Sequence, residues 1–87
     1  MSKLLRTYRA MLLGRMVNAN RELEYYKQNL KYMDENPGKY KNEKTMRECI
    51  VMCIEDLTEN YNKMLAQLEI IDKDLNQEEE NIKENEV

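Results

Sequence analysis

The sequence has no tryptophan, no phenylalanine and no histidine. Without histidine, the commonest general base and the commonest zinc ligand are both missing. Two cysteines with no second pair lack the ligands for a tetrahedral zinc site. Ser2 is the only serine, and no base stands near it to make it a nucleophile. Proline occurs once and glycine twice, so almost every segment is permitted to be helical. The longest apolar run is the six residues 49–54, far too short to cross a bilayer. No catalytic group, cofactor or metal is expected from these residues.

What remains is an 87-residue chain with 36% charged residues, a mean hydropathy of −0.91 and a formal net charge of −3. That length makes one domain at most. Its apolar bulk comes from leucine and isoleucine, helped by seven methionines and six tyrosines. So small a chain buries a modest share of its surface, and oligomerisation is the usual remedy where disulfides and metals are absent.

Apolar positions in the first third follow a 4-3 rhythm: Leu5, Arg9, Leu12, Met16, Ala19, Leu23, Tyr26, Leu30, Met33. Only Arg9 breaks it. After the punctuation at DENPGKYKN, the rhythm resumes as Ile50, Ile54, Leu57, Tyr61, Met64, Leu68, Ile71, Leu75. The β-branched run CIVMCI permits a strand, but the rhythm passes straight through it. The spacing predicts an all-α antiparallel hairpin, coiled-coil-like, with helices over about 3–34 and 43–80 and a loop over about 35–42. Residues 1–77 would form the domain, and 78–87 an acidic, fraying tail. Asn42 suits the N-cap of the second helix, with Glu43 beside the positive end of its dipole. An alternative start would use Asn36 as cap with Pro37 in the first turn.

A loop this short makes the helices neighbours. Facing residue numbers should then sum to about 80, so that Leu30 meets Ile50, Leu23 meets Leu57, Met16 meets Met64 and Leu5 meets Leu75. Charge agrees with this pairing. Residues 1–33 carry seven basic and two acidic side chains, net +5, and residues 46–87 carry four basic and twelve acidic, net −8.

One seam leaves apolar residues over. Six consecutive apolar positions point all around a helix, so Cys49, Val51, Met52 and Cys53 are surplus to it. Leu4, Tyr8, Met11, Leu13, Leu65 and Ile70 are surplus at the other end. An exposed patch of that kind marks an interface, and a homodimeric four-helix bundle closes it most simply. The expected dimer interface comprises Cys49, Val51, Met52, Cys53, Tyr8 and Met11. Leu4, Met11, Asn18, Tyr25 and Tyr32 recur every seven residues beside Tyr8, and tyrosine favours such half-wet boundaries. A second surface for a larger protein is therefore expected at Tyr8, Tyr25 and Tyr32, with the acidic residues Glu55 and Glu59.

Other classes find less support. Glu55, Asp56 and Glu59 could attract a divalent cation, but such charge runs are ordinarily solvated surface. The basic residues Arg6, Arg15, Arg21, Lys27 and Lys31 offer a nucleic-acid alternative, and the architecture resembles the small plasmid copy-number regulators that bind paired RNA loops. The net negative charge opposes it. The stretch TYRAML at 7–12 resembles the Leu-Tyr-Arg signature of the LYR family of small helical mitochondrial adaptors. Thr7 stands where that family has Leu, its downstream Phe has no counterpart, and two helices fall short of its three. The start MSKLLRTYRAMLLGRMVNA resembles a mitochondrial presequence in being basic and amphipathic, but it holds one serine only, and its apolar stretch AMLLG is too short and too interrupted by arginine for a secretory signal. Cys49 and Cys53 sit at i and i+4, where a mutual disulfide is poorly placed, and two reduced thiols suit the cytoplasm. The expected function is a small protein-binding regulator or inhibitor. The Asn-, Lys- and Glu-rich composition looks like that of an AT-rich bacterial or phage genome. A structural or scaffolding coiled coil is a further alternative.

Overall fold

A computed structural model describes the backbone of residues 2–85 and the side chains of residues 3–78. It is a hairpin of two helices, α1 (Ser2–Glu35) and α2 (Glu43–Asn85), packed on each other along their length. Among the described residues there is no strand, and 49–54 is helical. α1 and the start of α2 lie within a residue of their expected bounds, while α2 runs five residues past the expected 80. The side chains of 79–87 lie outside the described residues, and with them most of the tail expected to fray.

The loop shows why α1 stops where it does. Pro37 cannot continue a helix. Asn36 then caps α1, its backbone N–H and side-chain Nδ2 donating to the carbonyl of Tyr32 at 3.0 and 2.9 Å. Asn36 thus ends the first helix, and the alternative in which it starts the second is overturned. Residues Asn36, Pro37, Gly38 and Lys39 form a β-turn closed by a 3.4 Å bond from Lys39 N–H to the Asn36 carbonyl. Gly38 has φ +76°, a left-handed value that glycine adopts without strain, and proline before it is the type II signature. Glu43 in the first turn of α2 accepts from Gly38 N–H at 3.1 Å, and the Asn42 carbonyl accepts from Met46 N–H at 2.9 Å. Asn42 therefore stands at the N-cap position, as expected.

Every position of the two rhythms is buried or half-buried. In α1, Leu12, Met16, Ala19, Leu23 and Met33 are below a tenth exposed; among the described side chains of α2 only Leu75 is. Two ion pairs fix the register. Arg9 Nε donates to Asp72 Oδ1 at 2.6 Å, and Arg47 Nη1 to Asp34 Oδ1 at 2.8 Å. Each pair of residue numbers sums to 81, beside the expected 80. Arg9, the one break in the rhythm, is thus answered from the facing helix.

The outcome is a rod of 70 × 17 × 14 Å with a radius of gyration of 20.0 Å. A compact chain of this length would have about 12 Å. The accessible surface is 7199 Å², against about 5,400 Å² for a compact monomer of the same mass. A single seam leaves that excess uncovered.

The two glycines should respond oppositely to substitution. Gly14 is an exposed helix residue with open space where a Cβ would stand. Gly14→Ala should stabilise the hairpin by roughly 0.5–1 kcal/mol, seen as a higher denaturation midpoint. Gly38→Ala should destabilise it by about 1 kcal/mol or more. Equal midpoints for the two variants would contradict the turn geometry described.

Candidate functional site

The seam consumes one stripe of each helix and divides the remaining surface into two broad faces. Position along the heptad assigns each side chain to one of them. On the first face, Tyr8, Met11 and Arg15 of α1 border a shallow groove with Gln67 and Ile71 of α2. Nearer the loop, Tyr25, Asn29 and Tyr32 border a second groove with Tyr40, Met46 and Ile50. The heptad places Leu4, Cys49, Cys53 and Ile70 on this side as well. The opposite face carries the Arg9–Asp72 and Asp34–Arg47 pairs, with Leu13, Val17, Lys27, Lys31, Val51 and Leu65.

The tyrosine face is exposed yet partly ordered. Tyr25 is 62% and Tyr8 56% exposed. Tyr25 and Tyr26 meet edge-on, with ring centroids 5.8 Å apart, and Tyr32 and Tyr40 meet likewise at 6.3 Å. Lys39 Nζ lies 4.9 Å from the Tyr32 ring centroid and hydrogen-bonds its hydroxyl, a cation–π contact that holds the loop against α1. That bond holds the Lys39 ammonium above its ordinary range. Tyr26 lies at the seam beside Cys53, whose sulfur, together with burial, pushes the phenol upward. Asp34 does the same for Arg47.

The expected sites do not all come together. Of the expected dimer interface, Tyr8, Met11, Cys49 and Cys53 share the tyrosine face, but Tyr8 and Cys49 stand near opposite ends of the rod. Val51 lies on the other face, with Met52 at its outer edge; both border a shallow recess with Arg47, Glu48 and Glu55. Cys53 is half-buried and Cys49 exposed, and both thiols are free. Among the expected partner-binding residues, Tyr8, Tyr25 and Tyr32 share one face, whereas Glu55 belongs to the other. Glu59 lies on the outer side of α2, paired with Lys63 at 3.3 Å. The basic residues also divide. Arg15 borders the tyrosine groove, while Arg6, Arg21, Lys27 and Lys31 occupy the opposite and outer sides of α1.

Among the described residues, no three His, Cys, Asp or Glu side chains converge to hold a metal ion, and no helix is long and apolar enough to cross a membrane. The sequence signal that could have separated the two faces was present. Cys49 and Val51 are two residues apart, about 200° around a helix, so they point in nearly opposite directions. Comparison with known protein families, curated proteins and solved structures finds no match to this chain.

Alkaline titration tests the loop-end contacts. Tyr26, ordinarily at 10.0, is raised in the fold, so its proton leaves the unfolded chain first. Lys39, ordinarily at 10.5, is also raised, so its protonated form is favoured in the hairpin. Both contributions are complete at neutral pH and are lost as pH climbs past these values. The melting temperature should be flat from pH 7 to 9 and fall above about 10. Tyr26→Phe and Lys39→Met should each make that fall shallower; a fall equally steep in both variants would mean other groups drive it.

Proposed function

We propose that this chain is a non-enzymatic protein-binding module. It self-associates as a helical-hairpin dimer, a four-helix bundle, and regulates or inhibits a larger protein by occupying its surface stoichiometrically. The observation that carries the reading is the tyrosine face. Tyr8, Met11 and Tyr25 stand more than half exposed, and Tyr32 41% exposed, along one side of a helix. Tyrosine is enriched among residues that dominate binding energy, because it brings large area at little entropic cost. A grooved and apolar strip of this kind fits a helix or an extended segment of a partner rather than a small substrate. Dimer formation is supported by the surface excess, which a second hairpin would cover. Two reduced thiols are compatible with a cytoplasmic setting. A phage or mobile-element origin fits the composition.

The nucleic-acid alternative has weaker support, because the basic side chains spread over several sides of α1 instead of forming one stripe. The scaffolding alternative needs no exposed tyrosine.

Capture from host lysate, quantified by mass spectrometry beside a nuclease-treated control, distinguishes these readings. The native chain should retain one protein at near-equal molar ratio, unaffected by nuclease. Tyr8→Ala and Tyr25→Ala should each weaken capture roughly tenfold or more. Their melting temperatures should shift by only about 2 °C, since exposed substitutions change stability little. Capture that vanishes with nuclease would favour the nucleic-acid reading. Capture indifferent to both tyrosines would remove the aromatic face from the account.

A further inference from the structure

We infer that the second copy docks on the face opposite the tyrosines, the one bearing Val17, Lys27 and Lys31 of α1 with Glu48, Glu55 and Leu65 of α2. The two-fold axis runs parallel to the rod. The inference rests on the dimer proposed above and adds which face it uses and how the copies are oriented.

Area sets the scale. The surface in excess of a compact monomer is about 1,800 Å² per chain. A standard interface takes about 800 Å² from each partner, and obligate dimers take more. A second hairpin laid along the rod is an occupant of the right size.

Charge sets the orientation. Two hairpins stacked face to face can be related by a two-fold axis across the rod or along it. The first lays α1 on α1 and α2 on α2, bringing net +5 onto +5 and −8 onto −8 over residues 1–33 and 46–87. The second lays each basic helix on an acidic one. Four helices then alternate in sign around the bundle, which steers association and rejects the other arrangement.

The axis along the rod also fixes the contacts. It leaves height unchanged, so an α1 residue meets in the second copy the same level of α2 that it meets in its own chain. The register set by Arg9–Asp72 and Asp34–Arg47 therefore applies between copies too. On the tyrosine face it brings Arg15 over Lys63 of the second copy and Glu22 over Asp56, like on like in both places. On the opposite face it brings Lys31 over Glu48 and Lys27 over Glu55. Val17 and the half-buried Leu13 come over Leu65. Val51 of the second copy fits between the alkyl stems of Lys27 and Lys31. Two like charges stand on this face, Glu24 near Glu55 with Lys27 within a turn of it, and Asp34 near Glu48, where Arg47 of its own chain pairs with it. Within one chain, Lys27, Lys31, Glu48 and Glu55 take no part in the ion pairs of the described residues. They are exposed, and so remain available to a second copy. The tyrosine face stays open in this dimer.

Charge reversal with rescue tests the inference. The full chain is compared by sedimentation equilibrium over a dilution series with two double variants, Lys27→Glu with Lys31→Glu, and Glu48→Lys with Glu55→Lys. Far-UV circular dichroism confirms that each remains helical. Each double variant alone should raise the dimer dissociation constant at least tenfold. An equimolar mixture should restore it to within about threefold of the native value, since every reversed site then meets its complement. Tyr25→Ala should leave it unchanged. A native chain that is monomeric at every concentration overturns the dimer itself. A native dimer that both double variants retain undiminished leaves the dimer standing and overturns this face. So do a mixture that fails to recover and a dimer dispersed by Tyr25→Ala.

Discussion

Two helices can share only one strip of contact, and this geometrical limit governs the rest of the molecule. The strip is long, because both helices are, but it has no third layer to close over it. Among the described side chains, Met33, beside the loop, is the most enclosed at 2% exposed, and no side chain falls below that. The seam positions of α2 from Ile50 to Ile71 are only half-buried. Burial of roughly 25 cal/mol per Å² operates along one line and is absent around the rest of the circumference. The rod shape, the surface excess and the exposed tyrosines are all outcomes of that limit.

Charge segregation then decides orientation. Isolated surface ion pairs contribute on the order of 0–1 kcal/mol each, so the pairs at Arg9–Asp72 and Asp34–Arg47 add little to stability. Their value is positional. They stand near the two ends of the seam and agree on one register. A slip by one helical turn would break both and set Arg9 against a different level of α2. The single polar interruption of the apolar rhythm thus acts as a register mark, a role best known from buried polar residues in coiled coils.

Much of this was legible in the residues. The 4-3 rhythm identified the seam residue by residue, Pro37 and Gly38 located the loop, and the shortness of that loop implied antiparallel neighbours, with which the opposite charge blocks agree. Two features were not read. Arg9 was seen as a break, but its answer from Asp72 lies 63 positions away and has no local signature. The leftover apolar residues were separated into two ends but read as one patch, although the helix distributes them over two faces. Periodicity reports which residues leave the seam. The side to which they go depends on the sense of the heptad, and that becomes plain only when both helices are set side by side. The tyrosine stripe, by contrast, was visible from its seven-residue recurrence, because it lies on one helix alone.

The ladder of facing positions also orders the folding of the chain. Each rung joins residues whose numbers sum to about 80, as the alignment of a short-loop hairpin dictates, so the chain enclosed by a rung lengthens steadily away from Gly38. The entropy of closing a loop rises with the chain it encloses. The rungs nearest the turn, where Lys39 and Tyr40 meet Tyr32 and Glu43 accepts from Gly38 N–H, are therefore the easiest to form. Each formed rung shortens the free chain left for the next, and the hairpin zips from the turn toward Arg9 and Asp72. Opening runs the other way. The end at Arg9 and Asp72 is the first to part, and amide exchange should grade from slow beside Met33 to fast beside Leu5.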